Sequence, residues 1–202
     1  VGPDTVLATA SPHPRPQDTA GSKTDGAPPA PDASAIRACF VLGQQRSYDQ
    51  DPRFGLIVLS EVALRALSPA VNDPGTAIGV MAALTTLVVE ADRAIAEHAA
   101  ETAQQASPEA ASPEVEFDRL TLPELDIRSL VADGFASIAR DGAGMLEVGI
   151  RLQKMLATIA RNGSAPVAAE ARLQARKAME RGQSALSHPD DQRQLQALHQ
   201  QL

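Results

Sequence analysis

The sequence is poor in cysteine and in aromatic residues. Its 202 residues include one Cys, one Tyr, four Phe and no Trp. A single thiol excludes an intrachain disulfide framework and an all-cysteine zinc site. An aromatic share of 2% removes the stacking platforms of single-stranded nucleic-acid binders. Basic charge is also short, 18 Lys and Arg against 25 Asp and Glu for a net charge of −7, so no nucleic-acid partner is expected. The chain opens Val-Gly-Pro, with no initiator Met and no charged-then-apolar leader, and reads as a fragment without its own targeting signal.

Long apolar runs are missing as well. Residues 74–89 are uncharged for 16 positions, whereas a membrane span needs about 20. The expectation is a central helix of a bundle, buried all round, with a re-entrant segment as the alternative.

Reactive constellations are sparse. His13, His98, His188 and His199 are scattered, and no His-Glu-x-x-His occurs, so no metal is expected. There is no Gly-x-Ser-x-Gly elbow. Gly142-x-Gly144 is followed by Glu147 where a dinucleotide fingerprint needs Gly. Gly21-Ser22-Lys23-Thr24 has Ser where a phosphate loop has Lys, and no strand precedes it. Cys39 has no His near it in sequence and reads as a small packing residue. No catalytic residue and no cofactor is assigned.

What is present is helical patterning behind a proline-rich start. Seven of the fifteen prolines lie in residues 1–34, which read as a disordered tether with a strand stub at 1–10. Ile36, Ala38, Phe40 and Leu42 alternate at period two, which predicts a short strand ending at Gly43. Beyond it the expected fold is mainly α, a bundle of five to six helices within a domain spanning 35–202. The predicted helices cover residues 52–67, 74–98, 126–140, 143–161, 164–186 and 189 to the end. In the first of them Phe54, Ile57, Val58, Leu64 and Leu67 are the expected core positions. Residues 99–126 hold seven acidic side chains and one Arg and read as a solvated connection, with a frayed extension of the second helix at its start as the alternative.

The densest polar information lies at two Asp-Pro corners. Asp51-Pro52 and Asp73-Pro74 each combine a capping carboxylate with a residue that needs no amide hydrogen in the first helical turn. Arg65 is the odd neighbour, set between Val62-Ala63-Leu64 and Ala66-Leu67. If buried, it requires a carboxylate partner, for which Glu61, Asp51 and Asp73 are the candidates. The candidate polar network is therefore Arg46, Asp51, Arg65, Ser68, Asn72, Asp73 and Thr76. Its plain reading is a capping hub in which Arg46 or Arg65 ties the two helix starts together. Two functional readings compete with it. One is a sensor for an anion or phosphometabolite, built on both helix N-termini with Arg46 and Arg65. The other is a metal-assisted hydrolase using Asp51 and Asp73.

The same two corners carry a family resemblance. The first block is Arg46-Ser47-Tyr48-Asp49-Gln50-Asp51-Pro52-Arg53-Phe54-Gly55. The second is Ala63-Leu64-Arg65-Ala66-Leu67-Ser68-Pro69-Ala70-Val71-Asn72-Asp73-Pro74-Gly75-Thr76-Ala77. With the stretch 130–142 they resemble a bacterial predicted membrane protein family, domain of unknown function 2254, over residues 35–202. Ser47 stands where that pattern has Thr, and the proline-rich segment 11–33 is longer and more polar than the pattern. The resemblance implies a multi-pass parent protein whose N-terminal transmembrane helices precede this region. The partner it implies is that membrane-embedded part, with self-association left open. The region itself is then expected to be soluble, anchored through the parent, and to serve interaction or regulation rather than catalysis.

Overall fold

The computed structural model describes residues 8–9, 32–41, 43, 51–105 and 125–201. The tether at 11–31, most of the strand stub at 1–10, Arg46 and the acidic stretch 106–124 lie outside the described residues. The chain divides into two units, Val1–Arg46 and Ser47–Leu202.

Within the first unit the short strand is not formed. Residues Ala33–Ala38 make a helix, α1, where a strand over 36–42 was expected. The cause is local. Asp32 caps the turn, its carboxylate accepting the Ser34 N–H at 2.8 Å and the Ser34 hydroxyl at 2.7 Å. A side-chain cap on an Ala-rich run outweighs a two-residue apolar alternation that has no partner strand. Among the described residues there is no strand, and the architecture is wholly helical.

The second unit contains α2 (Pro52–Leu67), α3 (Pro74–Gln105), α4 (Ile127–Asp141), α5 (Leu146–Asn162), α6 (Ala165–Ala185) and α7 (Pro189–Gln201). Asp51 and Pro52 start α2 and Pro74 starts α3, as the corner residues predict. Helix α3 runs past His98 to Gln105, so the beginning of the expected connection is an extension of this helix. Helix α2 packs on α3 and α4, α3 on α5, and α6 on α4 and α5, while α7 covers α5 and α6. The centre holds Met81, Leu84, Leu130, Phe135, Ile138, Leu156 and Ile159, all essentially without solvent contact. Phe135 is the largest of these fully buried side chains.

Two details correct the sequence reading of the core. In α2 the buried line is Leu56, Ser60, Ala63, Ala66 and Leu67, and Phe54, Ile57, Val58 and Leu64 are only half-buried. Small residues set this line, because Ala63 and Ala66 let α2 approach its neighbours closely. Helix α3 is not buried all round. Ala77, Met81, Leu84, Thr85 and Val88 face inward, while Gly79 has nothing within 4 Å of its Cβ direction and Leu87 is 46% exposed.

Helix α7 docks by a knob and a notch. Leu195 is 1% exposed and lies against Gly149 of α5 and Gly182 of α6. A Cβ on Gly182 would collide with the Leu195 side chain, whereas one on Gly149 would only crowd it at 3.3 Å, so the missing side chain at Gly182 is what opens the notch.

Candidate functional site

The α2–α3 corner is built from backbone first. Ser68 closes α2, its N–H and hydroxyl both donating to the Arg65 carbonyl, at 3.2 and 2.7 Å. Val71 and Asn72 then donate their N–H groups to the Ser68 carbonyl, at 3.0 and 2.8 Å. Asn72 sits at φ 49, the left-handed region that Asn tolerates better than branched residues. That turn returns the chain so that the Asp73 N–H reaches back to the Ala66 carbonyl at 2.8 Å. The Asp73 carboxylate accepts the Thr76 N–H at 3.0 Å and the Thr76 hydroxyl at 2.6 Å. Those bonds, the hydroxyl's first, hold the Asp73 carboxyl below the usual carboxylate range. Ser68, Asn72, Asp73 and Thr76 therefore converge on one corner.

Asp51 does not join them. It caps the opposite end of α2, its carboxylate accepting the Phe54 N–H at 3.1 Å. Helix α2 has 16 residues, and at 1.5 Å per residue it separates the two corners by about 24 Å. A carboxylate pair bridging one metal needs oxygens within a few ångströms of the ion, so Asp51 and Asp73 cannot serve one metal together. Nor can the starts of α2 and α3 embrace one small anion.

Arg65 corrects the sequence reading too. Its side chain is exposed, and it makes no ion pair among the described residues. Exposure removes the need for a partner. Placed in the last turn of α2, its charge complements the negative end of the helix dipole instead. Arg46, the other candidate tie, lies outside the described residues.

Sequence reasoning missed the bonds that join the helices. Asp92, 6% exposed in α3, accepts the Ser164 N–H at 2.5 Å and the Ser164 hydroxyl at 2.7 Å at the start of α6. Arg53 of α2 pairs with Asp133 of α4 at 2.7 Å. Gln153, 1% exposed, donates its amide to the Ala175 carbonyl at 2.8 Å and meets His199 Nδ1 at 2.9 Å. A signal for the first of these was available. An acidic residue soon after the apolar residues 87–89 needs either solvent or a donor.

Among the described residues no three His, Cys, Asp or Glu side chains gather closely enough to hold a metal ion. One described helix, Pro74–Ala103 within α3, is long and apolar enough to cross a membrane. Its buried stripe shows that it is also an integral core helix of the second unit.

No solved structure matches the chain. Three curated relatives do match over 58 residues at 48% identity, one uncharacterised protein of Mycobacterium bovis and two of Mycobacterium tuberculosis. The match covers 27% of this chain and 11% of each relative, so only a small part of those proteins is represented. The profile of DUF2254, described as a predicted membrane protein, matches residues 1–158. That match begins before the motif blocks and ends inside α5. The chain belongs to the DUF2254 family of predicted membrane proteins.

Proposed function

We propose that residues 47–202 form a non-enzymatic interaction region of a larger bacterial membrane protein. In this reading the outer face of α2 and α3 docks on the membrane-embedded part of the same protein. One observation carries it: only 28% of the most apolar window of α3 is buried within the chain. Val62 on α2, Val71 at the corner and Leu87 and Ile95 on α3 are exposed by 42–54%. A contiguous exposed apolar patch marks an interaction site, and these side chains lie on two helices that pack together and on the corner that joins them. The family's description as a membrane protein and the small share of the relatives represented here support this choice of occupant.

The test is site-directed crosslinking in the full-length protein. With Cys39 changed to Ser, Leu87→Cys should crosslink to the membrane part of its own chain. Lys154→Cys, exposed on α5, should not. Crosslinks only between two copies of this region, or equal yields from both positions, would overturn the reading.

A further inference from the structure

The C-terminal half of α6, the end of α4 and the turn after it border a wide, open hollow of about 580 Å³. Arg140, Ala143, Lys177, Glu180, Arg181 and Ser184 line it. Lys177 and Arg181 stand four apart on α6, a spacing at which like charges repel. Neither forms an ion pair among the described residues. Arg181 is half-buried and fixed by one bond, Nη1 donating to the Ala136 carbonyl at 3.1 Å. Since a guanidinium carries five N–H donors, most of its capacity remains for another acceptor. Arg140 gives Nε and Nη2 to Asp141 at 2.6 and 3.2 Å, which leaves its Nη1 hydrogens. Three cations thus face one lining carboxylate, Glu180, and a second carboxylate, Asp141, engages one edge of Arg140.

We propose that this hollow binds a phosphate-bearing anion. Guanidinium forks match the spacing of phosphate oxygens, and Lys177 adds a mobile point charge to the same lining. Its volume falls within the range of about 300–1,000 Å³ typical of small-ligand sites. Its lining has no aromatic ring on which a base could stack, and the chain's net charge of −7 repels a long polyanion. The ligand is therefore a compact phosphate group, supplied either by a dissolved phosphoester or by an anionic phospholipid headgroup. This inference uses none of the residues of the proposed docking face and stands apart from it.

Titration calorimetry of the 202-residue chain with inorganic pyrophosphate tests the dissolved source. Flotation with phosphatidylcholine vesicles, with and without phosphatidylglycerol, tests the headgroup. Binding in either assay should weaken by about tenfold or more in Arg140→Gln with Lys177→Ala, the loss of at least one charge-assisted bond. Arg151→Gln with Lys154→Ala removes the same charge from an exposed face of α5 and should bind like the parent. Arg181→Lys keeps the charge and removes the fork, and should weaken binding as well. Pyrophosphate binding assigns a dissolved ligand, and binding to the anionic vesicles alone assigns a headgroup. No binding in either assay, or equal weakening in the α5 control, would overturn the proposal.

Discussion

Asp92 reaches from the interior of α3 to cap another helix, accepting both the N–H and the hydroxyl of Ser164, 72 residues later in the chain. Ser164 does not cap α6 with its own side chain; its hydroxyl is turned to Asp92, and the carboxylate takes the N–H of the capping residue itself. Removing it leaves two half-buried donors without their carboxylate, at a cost of about 1 kcal/mol or more. Asp92→Ala should lower the urea midpoint accordingly, and Ser164→Ala should lower it less, because the N–H bond survives. A loss for Asp92→Ala no larger than that of an exposed residue would show that the bond contributes nothing to stability.

The Gly182 notch predicts a localised failure. Gly182→Ala forces Leu195 out of its seat, an overpacking cost of about 1–3 kcal/mol. Amide exchange should accelerate across α7 before it does in α4 or α5. Combining Gly182→Ala with Leu195→Ala should cost less than the sum of the single changes, because the collision partner is gone. Additive losses would contradict the docking geometry.

Arg65 and Arg53 should behave oppositely to their prominence in the sequence. Arg65→Gln, exposed and without an ion pair among the described residues, should change stability by less than about 0.5 kcal/mol. Arg53→Gln breaks the contact with Asp133 and should be the more damaging of the two. Its effect should shrink as salt is added, because both side chains remain partly solvated. The reverse ranking would restore Arg65 as a tie between the corners.

Acid should loosen specific corners. Thr76 holds the Asp73 carboxyl below its ordinary value, and Arg128 does the same for Asp126 at the start of α4. A carboxylate depressed in the folded state stabilises the fold above its unfolded value of about 3.9. That contribution disappears as pH falls through the lower folded values. The pH-stability curve of Asp73→Asn should therefore be flatter below about pH 4 than that of the parent chain. Parallel curves would mean that the Thr76 bonds do not distinguish the two protonation states. Asp51→Ala and Asp73→Ala should also show no coupling, since α2 stands between them.

The sequence disclosed where helices begin better than what they touch. Asp51, Pro52, Asp73 and Pro74 mark their starts through backbone chemistry that involves only the next few residues. The buried line of α2 was displaced because Ala63 and Ser60 are weak hydrophobic signals, while the larger Phe54 and Ile57 attract the eye and face partly outward. The segment at 36–42 looked like a strand because alternation over so few residues cannot outvote a cap at Asp32. The polar network was legible at Ser68, Asn72, Asp73 and Thr76, which are close in sequence. Its extension to Asp51 was not, since only the length of α2 reveals that separation. Asp92 with Ser164 and Gln153 with His199 depend on tertiary proximity and leave no local periodicity.

Past Asp92, helix α3 continues for 13 residues, and all those from Arg93 to Ala103 are exposed. At 1.5 Å per residue that makes a cantilever of roughly 20 Å beyond the last anchored turn. Among the described residues no core braces such a beam, and an isolated helix of this length is marginal in water. Its hydrogen bonds should open from the tip inward, so that a single helix is graded from a stiff root to a fraying end.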